Sequence, residues 1–153
     1  MISRTHPNFV RKLFEAEIPE ISEGIIEIKS VSREAGSRSK IALYSHDPNV
    51  DAIGSCIGSH GNRLNALMEE LGGEKLDLIE YDEDPKKFIA AALAPANVKN
   101  VEFDEEAPNT CKVTVPDNQL SLSIGNRGQN VRLAARLTGY KIDIHPESGY
   151  YGE

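Results

Sequence analysis

Ile124-Gly125-Asn126-Arg127-Gly128 is matched upstream by Ile57-Gly58-Ser59-His60-Gly61, and each stretch sits between two segments that read as helices. An apolar residue followed by Gly-x-x-Gly lets the chain turn sharply, with no side chain between the backbone and whatever lies against it. The helix that follows points its unpaired N–H groups at the same spot, which favours a phosphate or another anion. One Gly-x-x-Gly says little. Two copies in matching surroundings must be explained together, as a repeat.

Outward from the two loops, the surroundings repeat as well. Leu64, Leu67, Met68 and Leu71 follow the first loop at helical spacing, and Gly72-Gly73 stops them. Val131, Ala134, Ala135 and Leu137 follow the second loop, and Gly139 stops them. Alternation predicts strands at Lys75–Tyr81, with Leu76 and Leu78 inward, and at Lys141–Ile144. Before the first loop, Phe9, Val10, Leu13 and Phe14 predict a helix that starts near Thr5-His6-Pro7 and ends or kinks at Pro19. Strands are expected at Gly24–Val31 and Lys40–Ser45, with Arg33–Ser39 as a polar hairpin loop. Asp47-Pro48 reads as the cap of a helix with Val50, Ile53 and Ile57 on its apolar face. The order then restarts. Asp84-Pro85 caps a helix carrying Phe88, Ile89, Ala92 and Leu93, strands follow at Val101–Phe103 and Cys111–Val115, and Asp117 caps a helix with Leu120 and Ile124. Gly58 aligns with Gly125, Gly61 with Gly128, Leu64 with Val131 and Asp77 with Asp143. The fold class is therefore α+β: two tandem domains, 1–83 and 84–153, each a three-stranded sheet packed against helices. With little room for a linker at Asp82–Pro85, the halves are expected to pack as one rigid tandem. Independent tumbling in NMR relaxation counts against that.

The 153 residues carry a net charge of −7, which taken alone argues against a nucleic-acid binder. The distribution argues the other way. Between Asn118 and Ile142 lie four basic residues, Arg127, Arg132, Arg136 and Lys141, and no acid. Ala35–His46 has Arg38 and Lys40 and again no acid, while acids gather in Glu69–Asp84 and Glu102–Glu106. Segregation of this kind makes a local positive face on an acidic protein, although solvated helix and hairpin charge accounts for the same residues. No apolar run reaches the roughly 18 residues of a transmembrane helix, and the charged start is unlike a signal peptide. Cys56 and Cys111 lack metal-ligand spacing, as do His6, His46, His60 and His145, so a reduced, cytoplasmic protein without metal or cofactor is expected. Gly54–Gly61 misses the dinucleotide fingerprint, no Gly-Lys-Ser/Thr occurs, and no acid–base pair stands out by spacing. An enzyme is not expected.

A helix, Gly-x-x-Gly, helix unit beside a three-stranded sheet resembles the KH domain, whose loop clamps about four nucleotides of a single strand. The element order is similar to the type II, prokaryotic variant. Ser3-Arg4-Thr5-His6-Pro7, Glu17-Ile18-Pro19-Glu20-Ile21 and Arg33–Lys40 resemble the first KH domain of the bacterial NusA family. Leu120–Gly125 and Gly128–Ala135 resemble its second. The resemblance covers nearly the whole chain. It implies single-stranded RNA binding within a transcription elongation, termination and antitermination factor that acts on nascent RNA at RNA polymerase. The implied RNA contacts are Ile57, Gly58, Ser59, His60, Gly61 and Arg63, then Ile124, Gly125, Asn126, Arg127, Gly128 and Arg132, with Arg38 and Lys40 on the hairpin. Ile57 and Ile124 read equally well as core or as the wall of a base-binding groove. The family often has a basic residue where this chain has His60, and lysine or arginine where it has Asn126. Family members also carry a polymerase-binding domain and an OB-type domain before the KH pair. The chain is thus expected to be a fragment, or else to resemble the short archaeal relatives that are a KH pair alone. A monomer binding RNA without catalysis is the implied state. A protein-docking scaffold meeting basic partners through Glu102–Glu106, or an RNA-binding adaptor outside transcription, is the alternative.

Overall fold

Val10 and Phe14 are fully buried on helix α1 (Pro7–Glu17), the face that the helical spacing predicts. The computed structural model describes residues 7–148, so Thr5 and His6, offered as the helix start, lie outside the described residues. Pro19 does more than stop α1. It is the first residue of a short helix α2 (Pro19–Ser22), where its missing N–H costs nothing, and the buried Ile18 just before it has extended φ/ψ. Strands β1 (Ile26–Glu34) and β2 (Arg38–Ser45) then pair antiparallel. The expected seven-residue polar loop shrinks to Ala35-Gly36-Ser37, because Arg33 pairs with Ser39 and Glu34 with Arg38 in register. Strand β3 (Lys75–Glu80) lies parallel to β2, giving the sheet order β1-β2-β3.

Helix α3 (Ala52–Ile57) starts four residues after the expected place. The Asp47 carboxylate accepts from Asn49 N and its carbonyl from Val50 N, closing a turn of its own. Asp51 is the true cap, accepting from Ile53 N at 3.2 Å, an arrangement typically worth about 1 kcal/mol. Ala52 and Cys56 are the helix's buried residues, while Ile53 and Ile57, expected on the apolar face, are half-buried. Helix α4 (Asn62–Glu70) turns Leu67 inward, with Leu71 at its end and Leu64 and Met68 at the margin. Gly72 and Gly73, at φ 70° and 93°, end it. Val10, Phe14, Ile18, Ile41, Leu43 and Leu67 form the middle of this unit's core, and Leu78 packs against its edge.

The chain divides into two compact units, the first ending at Tyr81 and the second beginning at Asp82. In the second, Asp84 accepts from Lys86 N and caps helix α5 (Pro85–Ala92), which buries Phe88, Ile89 and Ala92. Strands β4 (Asn100–Phe103) and β5 (Thr110–Val115) are antiparallel, and β6 (Lys141–Pro146) runs parallel to β5. The topology of the first unit is therefore repeated, down to the register that sets Lys40 opposite Asp77 and Lys112 opposite Asp143. A single 3-10 turn, Asp117–Gln119, leads into helix α6 (Leu120–Ile124). Asp117 does not cap that helix as expected. Its carboxylate accepts from Ser148 N instead, a bond that holds it below the usual carboxylate range. On helix α7 (Gln129–Thr138) the buried stripe is Asn130, Leu133, Ala134 and Leu137: Ala134 and Leu137 are buried as expected, whereas Asn130 and Leu133 take the inward places expected of Val131 and Ala135, which are half-buried. The stripe begins on a polar residue, and apolar spacing alone passes over it.

Both cysteines are buried free thiols, and burial pushes Cys56 up to about 12 and Cys111 up to about 11. Among the described residues no helix is long and apolar enough to cross a membrane, and no group of three or more His, Cys, Asp or Glu side chains is placed to hold a metal ion.

Candidate nucleic-acid interface

The two Gly-x-x-Gly loops adopt the same backbone conformation. Gly58 has φ 78°, ψ 179° and Gly125 has φ 83°, ψ 173°, a region that essentially only glycine enters. The next residues form single 3-10 turns, Ser59–Gly61 and Asn126–Gly128. His60 (55°, 26°) and Arg127 (55°, 30°) are the two non-glycine residues at positive φ among the described residues. Left-handed backbone costs an ordinary residue about 1–2 kcal/mol, so each loop holds strain at the same place. Gly61 (76°, 14°) and Gly128 (76°, 13°) are again left-handed and lead directly into α4 and α7. As N-caps they bring no side chain to the first N–H groups of those helices, which leaves that end suited to an anion.

Space explains the first glycine of each loop as firmly as φ does. A Cβ on Gly58 would lie 2.4 Å from Asn62 Oδ1 and 2.8 Å from Arg63 Cγ. One on Gly125 would lie 2.6 Å from the backbone N of Asn130. At Gly61 and Gly128 the nearest atoms are 3.5 Å and 3.8 Å away, so those glycines are there for conformation alone.

Ser59, His60, Asn126 and Arg127 are exposed at the loop tips, and Ile57 and Ile124 are half-buried behind them. The Arg127 guanidinium carries no hydrogen bond or ion pair among the described residues. Arg132, half-buried on α7, donates through Nη1 to the Arg127 carbonyl at 3.1 Å, so it supports the loop from behind. Arg63, the second residue of α4, is committed elsewhere. Its Nη1 donates to the Ser55 carbonyl at 2.9 Å and to both oxygens of Glu20 at 3.0 and 3.1 Å. The Arg63 bond holds the Glu20 carboxyl below its ordinary range.

The two hairpin cations have a different place from the one expected. Lys40 is fully buried, with Nζ 3.0 Å from Asp77 Oδ2, and Arg38 Nε lies 3.1 Å from the same oxygen. Burial pushes the Lys40 ammonium below its usual value and Asp77 pulls it back up. Lys40 is thus a buried sheet residue paired across to Asp77 on β3 rather than a hairpin-loop cation. Sequence reasoning also missed Leu122, the one exposed large hydrophobic among the described residues at 44% exposure. It lies on α6 two residues before Ile124, off the stripe that Leu120 and Ile124 define.

Residues 4–81 match the family model of the NusA-like first KH domain, and residues 85–151 match that of the NusA-like second KH domain. The chain belongs to the NusA-like KH family. It is 54% identical over 148 residues to the transcription termination/antitermination protein NusA of Halalkalibacterium halodurans, covering 97% of this chain and 38% of that protein. NusA of Bacillus subtilis is 54% identical across 96% of this chain, and NusA of Thermus thermophilus 53% across 96%. The chain spans 39% and 37% of those two proteins, well under half of each relative. The crystal structure of APE1850 shares the fold at a TM-score of 0.63 and 18% identity, covering 91% of this chain and 97% of its own. Two NusA-like KH domains in tandem, each an α+β unit, are what the expected type II KH pair amounts to in three dimensions.

Proposed function

We propose that this chain is the tandem KH module, domains 1–83 and 84–153, through which a longer cytoplasmic transcription factor of the NusA kind binds single-stranded RNA. The module binds nascent RNA as a monomer and without catalysis, and the parent protein brings it to RNA polymerase to act in elongation, termination and antitermination. The observation that carries this reading is the second loop: an exposed Arg127 at positive φ, its guanidinium without a partner among the described residues, with the uncapped start of α7 behind it. Backbone would approach backbone at Gly58–Gly61 and Gly125–Gly128. Bases would lie beside Ile57, Ile124 and the exposed Leu122, read on their hydrogen-bonding edges. With about four phosphates neutralised, the salt slope for a single strand is roughly −3.

The test is fluorescence anisotropy with a ten-nucleotide single-stranded RNA at two salt concentrations, comparing wild type with the Asn126→Asp, Arg127→Asp variant. Salt-sensitive binding that the variant loses, with circular dichroism unchanged, is the expected result. Failure of the wild type to bind mixed-sequence RNA pools refutes it.

A further inference from the structure

The residue five places after the first glycine folds back over that glycine in both loops. In the first unit it is Arg63 and in the second Asn130. Asn130, 2% exposed, donates through Nδ2 to the Ser123 carbonyl at 2.8 Å and to the Leu93 carbonyl at 3.0 Å. Arg63 donates to the Ser55 carbonyl at 2.9 Å. In both cases a side chain from the helix after the loop ties down a carbonyl in the last turns of the helix before it. Those carbonyls otherwise lack a partner within a short helix. The same side chains crowd the missing Cβ: Arg63 Cγ at 2.8 Å from the Gly58 position and Asn130 Cβ at 2.8 Å from the Gly125 position. The tie and the crowding act on one residue, the glycine whose φ and ψ set the direction of the loop.

We infer that Arg63 and Asn130 are positioning residues that hold each Gly-x-x-Gly loop in its binding conformation, and that Glu20 on α2 completes the tie in the first unit. The inference rests on the RNA-binding reading above, and it has Arg63 act through the loop rather than as the direct RNA contact that the resemblance implied. The units differ in how the tie is made. Asn130 is neutral and buried and needs two carbonyls. Arg63 is a cation with its side chain 28% exposed, and it is held by the carboxylate of Glu20, itself 25% exposed. Removing Glu20 separates the two roles of Arg63 by sign. If Arg63 is a phosphate ligand, deleting a competing acid tightens RNA binding. If Arg63 is a tie, deleting its anchor loosens the loop and weakens binding.

The experiment titrates the full chain with a ten-nucleotide single-stranded RNA and follows the amide NMR shifts of Gly58 and Gly61, so that affinity is read at the first loop alone. Wild type, Glu20→Ala and Arg63→Met are compared at two salt concentrations. Arg63→Met keeps the stem over Gly58. Both variants are expected to weaken binding at this loop by about three- to tenfold, the equivalent of roughly one hydrogen bond, with the salt slope unchanged. Amide exchange at Gly58–Gly61 without RNA is expected to rise in both, while exchange in β1 and β2 stays at the wild-type rate. Tighter binding by Glu20→Ala, or a slope that falls by about 0.7 in Arg63→Met, makes Arg63 a phosphate ligand and overturns the inference. Unchanged loop exchange also overturns it. Wild type that leaves Gly58 and Gly61 unshifted by RNA refutes the RNA reading at this loop, a result distinct from either of these.

Discussion

Glu74→Gln tests the polar interior of the first unit. The Glu74 side chain is fully buried and Arg33 is 5% exposed. Its carboxylate accepts from Arg33 Nε at 3.1 Å and Nη2 at 3.0 Å, from Gly36 N at 2.9 Å and from Ser39 Oγ at 2.6 Å. One side chain immediately before β3 thus holds both strands of the hairpin and its turn. Glutamine keeps the volume but not the charge, and it turns one acceptor into a donor that faces other donors. Removing one partner of a buried pair leaves the other charge uncompensated, at about 3–5 kcal/mol. That loss is a large share of the 5–15 kcal/mol that typically holds a domain together. Urea unfolding followed by amide NMR reads the β1 and β2 resonances separately from those of the second unit. The pH dependence adds a second check. Burial pushes the Glu74 carboxyl up, but Arg33, Ser39 and the Gly36 N–H outweigh burial and leave it below its ordinary value. A group whose folded pKa is depressed stabilises above its unfolded pKa, about 4.3, and loses that contribution as pH falls through the folded value. The gap between wild type and Glu74→Gln should therefore be full at pH 7 and narrow as pH falls below about 4. A loss under about 1 kcal/mol at pH 7, the range of exposed pairs, refutes the reasoning.

Two other outcomes follow from the geometry. Gly58→Ala and Gly125→Ala should each cost about 1–3 kcal/mol in thermal unfolding and weaken RNA binding, whereas Gly61→Ala and Gly128→Ala, which meet no close atom, should cost less. Equal losses at all four positions count against the crowding argument. Lys40→Met should leave the salt slope of RNA binding at its wild-type value, because the ammonium is sealed against Asp77. A slope reduced by about 0.7 would put Lys40 on a phosphate after all.

What could be read from sequence was what residues close in the chain decide. A glycine that must take positive φ between two helices leaves its mark at one position. Gly58 and Gly125 can therefore be aligned from sequence alone, and they have matching φ and ψ. The partners of the hairpin's polar residues cannot be read from sequence because they lie far along the chain: Glu74 is 41 residues from Arg33 and 35 from Ser39, and Lys40 is 37 from its partner Asp77. Nothing near Arg38 or Lys40 in sequence signals that β3 will bring a carboxylate alongside. Asn130 escaped for a related reason. A polar residue heading an apolar stripe looks like a break in the stripe, and only the two carbonyls it meets make burying it favourable.

Pairing also decides how the two loops share the electrostatic work. In the first unit Arg33, Arg38, Lys40 and Arg63 each face a carboxylate, on Glu74, Asp77, Asp77 and Glu20. A cation already neutralised within the protein releases few counterions from a nucleic-acid strand and adds little to a salt slope. The first loop is left with its backbone N–H groups, the start of α4 and a histidine at its tip. The second loop lies in a stretch, Asn118–Ile142, without any acid, and its tip arginine is exposed at positive φ. Two loops with one backbone conformation therefore offer a strand different things. The first offers shape and the dipole at the start of α4. On the proposed reading the second adds the full charge of Arg127, which accounts for about 0.7 of the salt slope, so Arg127→Met should lower the slope by that amount.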